Sequence, residues 1–491
     1  MENQKTKIIS IASIIALALT LVTATFAYFM AQTGEGKSTD IKINASTVDT
    51  FTFEAGSAIS LNLNQDNFAS GKGNQTGTTF AKAMLTANNK TNTATEHYYM
   101  YLNISENTFT YTQNTSTPEI LLTIKDASGN EITSITGLTY KTNVTDGKGT
   151  SISGFDITTK SGLITLFDNR EITTTSSKTE EWNITVTFVN YNANQAGNAG
   201  KSFNAKLMIQ KEKIPTVLSD VCTSRNNLAS CITTLSNKSE PSIVNIYHHT
   251  SSLANGAGDN SYRYAGASES VNNYVCLGSD EATCPEANLF RIIGVFGDQT
   301  KVMRAKSIGT KQWHSSSSNT WSSSSLNTYL NGEYLTSLGT LAEKIATTTW
   351  KVGGGSWANI GTSVPKTAYQ YEVGSSASTT TVDKKIGLMY VTDYYYSASP
   401  SAWTLVGYNY NDATNDYRAA KTINWLYLGS YEWTISRDSN FANFAFYVDS
   451  DDYVYDNLVT NSFGVRPSFN LLSSVKYVSG SGSMSDPVRV N

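Results

Sequence analysis

The chain has 491 residues, too many for one ordinary hydrophobic core, so two or three folded units are expected. Charged residues make up only 15 % of it, and 36 Lys and Arg nearly balance 40 Asp and Glu, which provides neither a basic field for nucleic acid nor an acidic tail. Polarity comes instead from Ser, Thr and Asn, while 28 Tyr, 18 Phe and 8 Trp recur throughout, excluding a disordered chain and suiting pleated, half-buried strands.

The N-terminus reads as an export signal. Lys5 and Lys7 precede an apolar run from Ile8 to Met30, and Gly34, Glu35, Gly36 and Lys37 follow it. By length the run is nearer a spanning helix of ~20 residues than a secretory core of ~7–15. Thr25 and Ala27 place small residues two apart, which favours cleavage after Ala27. Residues 1–29 are therefore expected to be a signal peptide or an N-terminal membrane anchor, with membrane contact through residues 8–30 only if the segment is retained. The stretch TATFAYF (Thr23–Phe29), followed by FTFEAG (Phe51–Gly56), resembles the export signal and first strand of the TasA and camelysin family of bacterial surface and biofilm-fibre proteins. That resemblance implies a specialised signal peptidase, a monoderm bacterial source, a location outside the membrane and a jelly-roll-like first domain.

Residues 30–212 read as an antiparallel β-sandwich. Tyr98–Ser105, Glu119–Asp126, Glu180–Tyr191 and Phe203–Gln210 alternate apolar with polar residues; in the third, Trp182, Ile184, Val186 and Phe188 share one face. DASGN (Asp126–Asn130), DGKG (Asp146–Gly149) and Asn192–Lys201 supply turns. Pro215 then ends the preceding strand, a helix is expected around Val217–Leu235, and the polar stretch up to residue 260 reads as a linker, so that residues 213–260 connect two domains.

The second domain is placed at residues 261–491. Strands are expected at Tyr274–Leu277, Leu289–Phe296 and Lys301–Ala305, with FGDQT turning between the last two. Leu326, Tyr329, Leu330, Tyr334, Leu338 and Leu341 recur at helical spacing behind a serine run that caps them, and Gly332 and Gly339 weaken or split that helix. The ordered set NLFRIIGVF, WSSSSLNTYLNGEYLTSL, KIGLMYVTDYYYS, WTISRDS and FAFYVDSDDYVYDNLVTNSFGVRPSFNLLSSV resembles a domain of unknown function found in surface proteins of gut-associated Firmicutes. By fold analogy it is similar to α+β, C-type-lectin-like domains, including formylglycine-generating enzymes. The oxidase chemistry of the latter needs cysteines near the terminal Arg motif, and no Cys follows Cys284. The expected fold class is thus mainly β, a jelly-roll-like sandwich followed by a C-type-lectin-like domain.

Candidate chemistry is sparse. Four cysteines at spacings of nine and eight suggest two local disulfides, Cys222 with Cys231 and Cys276 with Cys284, rather than a zinc site, whose ligand pairs are two to four residues apart. His97, His248, His249 and His314 form no metal or general-base motif and read as surface residues, and no Gly-x-Ser-x-Gly elbow or phosphate loop is present. No cofactor or metal is expected. Glu333, Glu432, Asp438 and Asp449 are available carboxylates, but nothing in the order of residues selects a hydrolytic pair. The tyrosine-rich stretch Gly387–Asn411 supplies the binding candidates Tyr394, Tyr395, Trp403 and Tyr408, since such rings stack on sugars or partners; they are equally good core formers.

The acidic stretch Asp449–Asp452 lies between two alternating runs and reads as a hairpin turn. An EF-hand would need Gly at its sixth position and Glu at its twelfth, where this chain has Val454 and Thr460. The resembling domains usually have Gly where this chain has Asp452, which implies a residue at positive φ rather than a ligand. Arg466 is expected to be a buried structural arginine paired with a carboxylate or backbone carbonyls. Together these features point to an exported cell-surface protein that binds a surface glycan or a protein partner without catalysis, with self-assembly as a further property; a glycan-acting hydrolase and a purely structural fibre subunit are the alternatives.

Overall fold

A computed structural model describes residues 49–491 apart from 65–66, 68–70 and 89–91. The Ala27 cleavage site and the apolar run of residues 8–30 lie outside the described residues. Among those described, no helix is long and apolar enough to cross a membrane. The chain is mainly β and divides into two compact units, Met1–Lys213 and Ile214–Asn491.

In the first unit two antiparallel sheets enclose one core. The six-stranded sheet runs Thr50–Ala55, Gln75–Thr86, Ser177–Phe188, Ile120–Asp126, Ser151–Asp156, Tyr140–Thr145. The four-stranded sheet runs Ile59–Asn62, Ser202–Gln210, Ala94–Asn107, Gly162–Thr174. The alternation read from the sequence is realised, for Trp182, Ile184, Val186 and Phe188 are buried against Leu102, Ile104 and Leu207 in the shared core. A polar chain crosses from sheet to sheet: Trp182 Nε1 donates to Tyr98 Oη at 2.8 Å, which donates to Glu180 Oε2 at 2.7 Å, which also accepts from Arg170 Nε at 2.8 Å. Two turns use one device. Asp126 Oδ1 accepts the amides of Ser128 and Asn130, and Asp146 Oδ1 those of Lys148 and Thr150, each loop holding a glycine at positive φ.

The second unit begins earlier than the sequence suggests. Residues 214–260 are not a linker: Leu218, Leu228, Ile232, Leu235, Val244 and Ile246 are buried in the same core as the central sheet. The helix Leu228–Lys238 turns its apolar side to that core, and the strand Ile246–His248 pairs with Tyr262–Tyr264, itself paired to Leu289–Phe296. Polar residues between them misled the reading, because a few well-spaced apolar side chains suffice to anchor a segment. His249, expected at the surface, is buried; its backbone N–H donates to Ser261 O and its Nδ1 accepts the amide of Ala257.

Leu289–Phe296 and Gln299–Arg304 form the centre of this unit's largest sheet, which Ser468–Leu471 and Tyr274–Cys276 extend on either side. A five-stranded sheet runs Thr310–Gln312, Ser462–Gly464, Glu432–Arg437, Phe444–Val448, Val454–Leu458. The expected amphipathic helix is broken into short α, π and 3-10 turns from Ser325 to Lys344, with Ser324 Oγ capping its start and Gly339 at positive φ. Cys222–Cys231 and Cys276–Cys284 lie at disulfide distance, with Cα atoms 5.6 and 5.8 Å apart.

Because both cysteine pairs belong to the second unit, reduction is expected to lower the stability of that unit alone. Each short loop contributes roughly 2–3 kcal/mol. Limited proteolysis before and after reduction checks this: cleavage should spread within residues 214–491 while the first unit's strands stay protected.

Candidate ligand-binding surface

The hairpin Phe444–Val448 and Val454–Leu458 pairs Val448 with Val454 and Tyr447 with Tyr455. Its turn is closed from within, for Asp449 N donates to Tyr453 O, Asp452 N to Asp449 O and Asp451 N to Asp449 Oδ1. Asp452 has φ +78°, the left-handed conformation for which glycine is the usual choice. Its side chain is buried beneath the turn and accepts the Tyr394 hydroxyl, and burial, the largest cause, pushes its carboxyl up to about 8. The acidic stretch is therefore committed to its own turn.

Three of the four aromatic candidates are corrected by burial. Tyr394 and Tyr395 lie on the helix Val391–Ser397, every residue of which is buried, and Tyr395 Oη donates to Ile360 O at 3.0 Å. Trp403 is 1 % exposed, packed against Tyr247, His249 and Tyr396, with Nε1 donating to Ala398 O at 2.9 Å. These rings present no face to a ligand; they pack in the core alongside its aliphatic residues.

Tyr408 lies elsewhere. It is half-buried, its ring 4.7 Å from Tyr453, 5.4 Å from Tyr455 and 6.2 Å from Trp357, while Trp357 and Tyr455 meet edge to face at 4.5 Å. Seven of the eight tryptophans are buried; Trp357 is the exception. The Arg418 guanidinium sits 5.0 Å from the Tyr408 ring and 5.7 Å from that of Tyr453, held by Asp416 at 2.6 Å. Tyr455 is 39 % exposed, and Tyr410, two residues beyond Tyr408, is 86 % exposed.

Close backbone approaches assemble this group. A Cβ on Gly407 would lie 1.8 Å from the Tyr395 hydroxyl and 2.5 Å from Gly361 O, so only glycine lets Tyr408 N donate to Gly361 O and bring its ring to the Trp357 helix. Gly354 has φ +61° and would place a Cβ 1.9 Å from Arg437 O; the glycine run Gly353–Gly355 is thus the point where the loop meets the sheet, and Ser356 then caps the helix that begins at Trp357. Tyr453 and Tyr455 escaped the sequence reading because alternation in a hairpin looks the same whether its outer face is solvated or covered, and Trp357 because a single ring at the start of a short helix carries no periodicity.

The four candidate carboxylates have different settings. Glu432 is buried and bonded to Arg466, which also donates to Leu426 O at 2.6 Å; Glu333 is exposed, and Asp449 serves the turn. Asp438 is buried with Oδ2 lacking an N–H or O–H donor among the described residues, and burial followed by the adjoining Asp438 carboxyl pushes Asp456 up to about 6.

Residues 297–473 match the model of a family described as a domain of unknown function (DUF6273), a span that includes Trp357, Tyr408, Arg418, Tyr453 and Tyr455. No curated protein matches the sequence.

The Asp452 carboxyl gives a pH dependence whose sign is fixed. Its folded value lies above the ordinary value of ~4, so the folded state holds a proton that the unfolded state releases, and stability is lost as pH rises through that interval up to about 8. Asp452→Asn keeps a residue tolerant of positive φ and an acceptor for Tyr394. It should raise the melting temperature at about pH 9 by roughly 2–4 °C per kcal/mol recovered, and leave it unchanged near pH 4. Thermal melts of both chains across this range test it.

Proposed function

We propose that this is an exported cell-surface protein whose second unit binds carbohydrate through the rings of Trp357, Tyr408, Tyr453 and Tyr455, without catalysis. One observation carries the reading: in a unit that buries its other tryptophans, these rings gather at the surface beside an arginine. Aromatic rings offer sugars apolar faces at low entropic cost, and Arg418, preorganised by Asp416, adds donors for hydroxyl or carboxylate groups at the rim. Two cysteine pairs at disulfide distance are compatible with an oxidising, extracellular setting, as the signal-like N-terminus and the TasA-like FTFEAG strand suggest.

A second reading concerns the first unit. Among the described residues Thr50–Ala55 is an edge strand, paired with Gln75–Thr86, and half-buried along its whole length. Such an edge accepts a further strand from another copy, which favours self-assembly.

A glycan array probed with the full chain tests the first reading. Trp357→Ala and Tyr408→Ala are each expected to weaken binding about tenfold, the ~1.4 kcal/mol of a stacking contact, with little change in melting temperature. Trp403→Ala, by contrast, should cost about 3–5 kcal/mol of stability as a core truncation. Binding that survives loss of both surface rings, or an array without a binder, would turn the assignment toward a protein partner.

A further inference from the structure

Lys301 lies on the central strand Gln299–Arg304, and Asp393 on the buried helix Val391–Ser397. Their side chains are 6 % and 2 % exposed, and Lys301 Nζ stands 2.5 Å from Asp393 Oδ2. The rings of Phe296, Trp350 and Tyr390 close around the amine at 5.6, 5.3 and 4.6 Å. Burial is the largest influence on this amine and pulls its pKa down, favouring the neutral, nucleophilic form.

The carboxyl opposite is held and polarised. Asp393 Oδ2 also accepts the Tyr390 amide at 2.8 Å, and Oδ1 faces the Arg263 guanidinium at 3.6 Å. Arg263 has its own carboxylate, Asp259, at 2.6 Å, and so does not depend on Asp393 for its charge balance. Under the same helix turn Glu372 is buried, accepting the amides of Val391 and Thr392 at 2.8 Å each and the hydroxyl groups of Thr392 and Ser436. Burial, the largest influence on it, raises its pKa.

We propose that Lys301 and Asp393 condense to an intramolecular amide that clamps the central strand to the buried helix. The ammonium first passes a proton to the carboxylate, leaving a neutral amine beside a neutral acid. Nζ then attacks Cγ, the Arg263 guanidinium beside Oδ1 stabilises that oxygen as it becomes negative, the attacking nitrogen passes a second proton to the Oδ2 hydroxyl, and the Cγ–Oδ2 bond breaks. One carboxylate oxygen leaves as water with two of the three ammonium hydrogens; nothing is oxidised or reduced, and no co-reactant is required. The driving force is the desolvation cost of keeping an ion pair in an aromatic pocket, which the neutral amide removes. The link joins residues 92 apart in sequence and, unlike the two disulfides, withstands reduction.

Mass spectrometry of the full chain decides the matter. After reduction, denaturation and trypsin digestion, the expected major product is a branched peptide uniting the Lys301 and Asp393 segments, lighter by one water than their sum and uncleaved after Lys301. Lys301→Arg, which keeps the charge but forms no such amide, is expected to lack the branched species. Linear peptides ending at Lys301, together with an unmodified Asp393 peptide, as the major products of the unsubstituted chain would overturn the proposal whether or not the variant folds.

Discussion

The N-terminus of the helix Val391–Ser397 sets the terms for much of the second unit. Every residue of this helix is buried, so its first amides have no water to bond and must find acceptors inside the protein. Glu372 accepts those of Val391 and Thr392, and Asp393 folds back to accept that of Tyr390. Each carboxylate then needs its own answer: Lys301 and Arg263 surround Asp393, and hydroxyl groups surround Glu372. Because Lys301 comes from the central sheet and Arg263 from the strand beside it, one helix end binds several parts of the unit together. Removing any one partner would leave a buried group unpaired, a larger loss than the net worth of the contact itself.

A similar logic governs Arg466. It lies under the five-stranded sheet, bonded to Glu432 and to Leu426 O, where it links the hairpin region to the loop before it. The unit's core also packs Trp313, Trp321, Trp350, Trp425 and Trp433 among many Ile, Leu and Val side chains. The buried indole nitrogens of Trp425 and Trp433 find backbone carbonyls, at Tyr264 O and Lys311 O. Against that background a half-buried tryptophan is informative. Trp357 and its tyrosine neighbours are held at the surface by glycine contacts that pin Tyr408 and the loop before Trp357, which makes the face preorganised rather than loose.

Local patterns were legible where local physics dominates. The alternation of Glu180–Tyr191 put Trp182, Ile184, Val186 and Phe188 inside, the DASGN and DGKG turns formed as Asp-capped loops, and the three strands between residues 273 and 305 fell close to their expected bounds. The positive φ of Asp452 was what the resemblance implied, since the resembling domains usually have Gly at that position. The helix after Ser324 was read as one element and is several, because its glycines and polar residues let tertiary packing choose a tighter or wider turn.

What the order of residues determined by itself was the kind of protein: mainly β, two units, cysteine pairs local in sequence, and a hairpin whose acidic residues serve its turn. What only the tertiary structure decided was which aromatic rings are free. Tyr394 and Tyr395 are chemically indistinguishable from Tyr408 in sequence, and Trp403 is an equally good stacking ring, yet these three are sealed in the core while Tyr408 joins Trp357, Tyr453 and Tyr455 at the surface. Exposure belongs to a side chain's spatial neighbours, and for Tyr408 those neighbours lie some fifty residues away on either side along the chain, where no local periodicity reaches.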